Sequence, residues 1–96
     1  MKEVLFVKSE NKSKVEDILK KDDIISRGSI TIRAAASLDI DEDGDFFILD
    51  MPESSIKRAE DLTKDVAEKY KHGDKVIEKV REEEDKAIEG FGNILG

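Results

Sequence analysis

The chain has no cysteine and no tryptophan, and only one histidine (His72) and one proline (Pro52) in 96 residues. Without cysteine there is no disulfide framework, no thiolate metal cluster and no cysteine nucleophile, and a single histidine excludes a three-histidine zinc site within the chain. Long hydrophobic runs are missing as well. The longest, Val4 to Val7 and Phe46 to Leu49, stop at four residues, far short of the roughly 20 that span a bilayer. Met1-Lys2-Glu3 leads straight into patterned sequence, without the character of a signal peptide. The expectation is a soluble, cytoplasmic protein with no membrane partner. Gln is absent and Asn occurs only at Asn11 and Asn93, while Lys and Glu abound. Heat-adapted proteins share this bias, which points to a thermophilic source.

What is present sets one small domain, residues 1–96, with a thin core: 38% hydrophobic residues against 43% charged, yet enough Ile, Val, Leu and Phe to fold. Its net charge of −7 is localised. Asp39, Asp41, Glu42, Asp43, Asp45, Asp50 and Glu53 fall in one stretch without a single Lys or Arg, and the rest of the chain balances. Like charges packed so closely raise the free energy of the folded state unless a cation relieves them. Nucleic acid is excluded as a partner for this stretch, because phosphate affinity comes from Lys and Arg.

Glu3 to Lys8 is a short apolar run that reads as a strand covered on both faces. Ser9, Asn11 and Ser13 offer helix caps, with Ser13 and Glu16 at capping-box spacing, ahead of Val15, Ile18 and Leu19 on one helical face ending near Lys21. After Gly28-Ser29, the alternation of Ile30, Ile32, Ala34, Ala36, Leu38 and Ile40 predicts a long half-buried strand. Asp43-Gly44 is a strong hairpin-turn pair, and Phe46 to Met51 reads as the returning strand. A two-residue turn would send Phe47, Leu49 and Met51 to the core; a bulged loop would send Phe46 and Ile48 there. Pro52 opens a second helix to about Lys71. His72-Gly73-Asp74 stops it and caps a third, turning back against the second with Val76, Val80, Ala87, Ile88 and Phe91 inward, and Asn93 to Gly96 fraying or docking partly.

The predicted class is therefore α+β, with element order βαββαα. A three-stranded, mainly antiparallel sheet of order 2-3-1 carries its helices on one face, as the front half of a ferredoxin-like sandwich plus a C-terminal helix. The fourth strand of that sandwich is expected to be absent, leaving the first strand as an edge open to dimerisation.

One segment carries chemistry. From Asp39 the chain reads Asp-Ile-Asp-Glu-Asp-Gly-Asp, with carboxylates at positions 1, 3 and 5 of a loop and Gly44 at 6, as in the first half of an EF-hand loop gathering oxygens around a hard cation. Position 12 is Asp50 in place of Glu, and the flanks read as strands where an EF-hand has helices. Asp39, Asp41, Asp43 and Asp45 are the expected ligands, with Glu42 and Asp50 behind them. The cofactor is Ca²⁺, or Mg²⁺, held weakly, at a Kd of about 10⁻⁴ to 10⁻³ M as in open sites. The plainer alternative is a solvated hairpin tip whose acids discourage aggregation. No phosphate loop, nucleophile with its base, or dinucleotide fingerprint occurs, so the expectation is not an enzyme.

This acidic loop, with the small size, the missing cysteine and the Lys/Glu bias, resembles a small uncharacterised family of methanogenic archaea that has a calcium-binding α+β member. The resemblance implies a mixed α/β fold and Ca²⁺ as ligand. The leading expectation is thus an intracellular divalent-cation-binding protein. The alternative is an interaction module whose acids meet a basic protein partner and whose strand edge forms a homodimer.

Overall fold

The computed structural model describes residues 1–95, and side chains within 1–85. Its elements are β1 (Lys2–Lys8), α1 (Lys12–Lys21), β2 (Ser29–Ala34), β3 (Gly44–Asp50), α2 (Glu53–Thr63), β4 (Glu68–Lys69) and α3 (Gly73–Leu95), with 3-10 turns at Ser9–Asn11, Ile25–Arg27 and Ala35–Leu38. The α+β class holds. All strand pairs are antiparallel, in the order β2-β3-β1-β4. The expected 2-3-1 order is present, and a fourth strand lies outside it.

That strand corrects the sequence reading twice. The second helix stops at Thr63 and does not reach Lys71. The Thr63 hydroxyl donates back to the Ala59 carbonyl at 2.7 Å, and the amides of Val66 and Ala67 both donate to the Thr63 carbonyl, which turns the chain. Glu68 and Lys69 then pair with Phe6 and Leu5, and the Tyr70 amide donates to the Val4 carbonyl at 3.0 Å. β1 is consequently an interior strand and not an edge. The element order through β4 is that of a ferredoxin-like sandwich, with α3 added.

Helices cover both faces of the sheet, not one. Because successive strand side chains point to opposite faces, the run Val4 to Val7 supplies both. Leu5 and Val7 pack with Phe47, Leu49 and Met51 under Val15 and Leu19 of α1 and Ile56 and Ala59 of α2. Val4 and Phe6 pack with Phe46 and Ile48 under Val76 and Val80 of α3, joined by Ala35 and Leu38. The two readings of the β3 register are therefore both partly right: each set of side chains has its own core. Burying such a side chain contributes about 1.5–3 kcal/mol, so covering the second face roughly doubles the core of a thin sheet. α3 reaches that face by leaving α2, which overturns the expected helical hairpin. Ala87, Ile88 and Phe91, read as part of its inner face, and the expected fraying of Asn93 to Gly96 lie outside the described side chains.

The long alternating strand ends early, at Ala34. Three alanines lack the β-branched side chains that favour a pleated surface, and Ala35 and Leu38, three apart, are both buried beneath α3. The Ser37 hydroxyl donates to the Ala34 carbonyl at 2.7 Å, and Lys79 Nζ donates to the Leu38 carbonyl at 3.0 Å. The predicted tight turn at Asp43-Gly44 is replaced by a wider connection through residues 35–43. The capping box is not formed either: α1 begins after Asn11 with no side-chain cap.

Candidate functional site

All of the acids from Asp39 to Asp45 lie at the end of the sheet where Ala34, Gly44 and Lys8 meet, since Gly44 pairs with Lys8 and Asp45 with Val7 and Ala34. Asp39 closes the 3-10 turn in the left-handed region, at φ 58° and ψ 32°, a conformation that Asp accepts more readily than most residues. Its amide and that of Ile40 donate to Ala36 and Ala35 at 3.2 and 3.0 Å. The left-handed residue of this segment is thus Asp39, ahead of the Asp43-Gly44 pair and not within it. Gly44 lies within β3, and its φ is not positive. A Cβ at Gly44 would come within 2.4 Å of the Val7 carbonyl and 2.6 Å of the Phe6 ring. Glycine is required there by the close approach of β1, not by turn geometry.

The expected ligands separate into four groups. Asp39 is exposed and lines a shallow hollow with Ser37, Lys79, Glu82 and Glu83. Asp41, Glu42 and Asp43 are exposed. Glu42 and Asp43 line an open cleft of about 530 Å³ together with Phe6, Lys8, Ser9 and Glu10, and the Ser9 hydroxyl donates to Asp43 Oδ1 at 3.2 Å. Asp45 is a strand residue, only 6% exposed. Asp50 stands at the far end of β3, opposite Lys2 and Ser29, roughly 17 Å along the strand from Asp45 at 3.4 Å per residue. It cannot join the others.

Among the described residues no three His, Cys, Asp or Glu side chains are gathered closely enough to hold a metal ion. The alternating ligand set Asp39, Asp41, Asp43 and Asp45 is therefore not assembled in this conformation. The physical reason is that the loop is wider than the predicted turn, and its first and last acids are fixed by other duties, Asp39 in the turn and Asp45 in the ladder. Among the described residues, none of the acids from Asp39 to Asp45 forms an ion pair. Ser9 and Glu10 are the cleft residues that sequence reasoning missed. Ser9 reads only as a helix cap and Glu10 carries no signal, and the pairing of Lys8 with Gly44, which brings them beside Asp43, is a long-range fact with no local signal.

No family model matches the chain, and no curated protein or solved structure matches it. Among the described residues no helix is long and apolar enough to cross a membrane.

Proposed function

We propose that the protein is a small intracellular divalent-cation-binding protein, with the cleft beside Glu42 and Asp43 as the centre of the site. The observation that carries this reading is the sharing of one open cleft by Glu10, Glu42, Asp43 and the Ser9 hydroxyl, next to a loop whose acids have no ion pair among the described residues. A hard cation entering the cleft accepts carboxylate oxygens from Glu42 and Asp43 first, keeps much of its water, and draws Asp41 and Glu10 inward. Lys8 lines the same cleft and opposes the ion, which favours weak binding. Ca²⁺ fits better than Mg²⁺, because it tolerates irregular, water-rich oxygen coordination while Mg²⁺ demands near-octahedral geometry.

A basic protein surface is the second reading, favoured by Asp39, which is exposed outside the cleft and available to a partner's Lys or Arg. One titration separates the two. Amide shifts on adding Ca²⁺ are expected at Ser9, Glu10 and residues 39–45, with a Kd of about 10⁻⁴ to 10⁻³ M, and Glu42→Gln with Asp43→Asn weakens binding by at least about tenfold, the equivalent of 1.4 kcal/mol. Shifts with a cationic peptide but none with Ca²⁺ would transfer the function to the second reading.

A further inference from the structure

Beyond cation binding, the sheet has an edge whose protection the structure explains. Among the described residues β2 is the outermost strand on its side, so one row of its backbone N–H and C=O groups has no strand of these residues beside it, and such rows pair with other chains unless something intervenes. Ser29-Ile30-Thr31-Ile32 is uncharged, proline-free and mostly β-branched, the composition that makes an open edge prone to self-pairing. Arg33 is the single charged residue of β2. Its Nη1 donates to the Ile32 carbonyl at 3.0 Å, and its Nε lies 3.8 Å from Glu83 Oε2 on α3. Groups on an antiparallel strand alternate between its two sides: Val4 accepts from Tyr70 on the β4 side, so Leu5 faces β3, its partner Phe47 faces β1, and Ile32, opposite Phe47, faces the open side. The Ile32 carbonyl is thus one of the acceptors that an added strand would use.

We infer that Arg33 guards this edge against a second copy of the chain. Held by Glu83, its guanidinium occupies the acceptor at the middle of β2 and places a cation where an incoming strand would lie. The net charge of −7 adds long-range repulsion between copies, but salt screens it, so the short-range guard acts where charge repulsion fades.

The test compares the wild type with Arg33→Ala by sedimentation velocity from micromolar to millimolar protein, at low and high KCl, with amide exchange read at Ile30 and Ile32. The wild type is expected to remain monomeric. Arg33→Ala is expected to dimerise as concentration and salt rise, slowing exchange at those amides by at least tenfold. Thr31→Lys added to Arg33→Ala restores a charge on the same face of β2 and is expected to return the monomer. Arg33→Gln, which keeps a donor without the charge, gives a second reading and is expected to self-pair more weakly than Arg33→Ala. A wild type that already dimerises, arginine variants that stay monomeric with unchanged exchange, or a dimer that leaves the β2 amides unprotected would each overturn the inference.

Discussion

Two residues fix the chain in ways that the sequence pattern does not show. Asp22 follows α1 and accepts the amides of Ile24 and Ile25 on Oδ1, both at 3.0 Å, and the Arg58 guanidinium on Oδ2 at 2.7 Å. The Ile25 amide, with Arg58 and the Ile24 amide, lowers its pKa below the ordinary 3.8, against a desolvation that pushes upward. A carboxylate depressed in the folded state stabilises it above the unfolded value and loses that contribution as pH falls through the folded value. Asp22→Ala is therefore expected to be less stable than the wild type at neutral pH, and the gap, read from denaturant midpoints, should close as pH drops below about 4. A gap that stayed constant into strong acid would contradict the hydrogen-bonded carboxylate. Gly44 is the second point. With β1 so close, Gly44→Ala must displace the Val7 carbonyl or the Phe6 ring, and overpacking of this kind costs about 1–3 kcal/mol. Calorimetry that found the variant as stable as the wild type would show that the two strands separate there easily.

Among the elements, α3 decides the architecture, since it converts a sheet with one buried face into one with two. Val76 is fully buried against Val4, Phe46 and Ile48. Val76→Ala removes two methylene equivalents and is expected to cost about 2 kcal/mol, with accelerated amide exchange along both α3 and β1. Loss confined to α3, with β1 unaffected, would mean that the helix does not support the sheet. The amphipathic spacing of Val76 and Val80 made this helix legible in the sequence, and the runs at Val4 to Val7 and Phe46 to Leu49 made the central strands legible. What could not be read was where α3 goes. A helix with one apolar stripe fits either face of a sheet, and only strands apolar on both sides hint at two covers. β4 escaped for a different reason: Glu68 and Lys69 are both exposed, so no alternation marks them, and their pairing depends on the edge that β1 offers. The acidic segment was legible in composition and charge, but its shape was not. Leu38 fits a strand alternation with Ala34 and Ala36 as readily as a 3-10 turn with Ala35, and burial of Ala35 and Leu38 together beneath α3 settles the choice.

For the molecule as a whole, the governing quantity is the charge of −7 concentrated between Asp39 and Glu53. Concentrated like charge is relieved partly by screening, so monovalent salt alone should raise the unfolding midpoint modestly. A cation held at the cleft does more, because a ligand that binds only the folded state stabilises by RT ln(1 + [L]/Kd), about 1.4 kcal/mol at ten times Kd. For a domain of this size that corresponds to roughly 6–11 °C in midpoint. The direct measurement is thermal unfolding in millimolar Ca²⁺ against KCl of equal ionic strength, with enough denaturant to bring the transition into range. The account predicts a midpoint several degrees higher in Ca²⁺, a difference that Glu42→Gln with Asp43→Asn abolishes. Coincident curves in Ca²⁺ and KCl would contradict it.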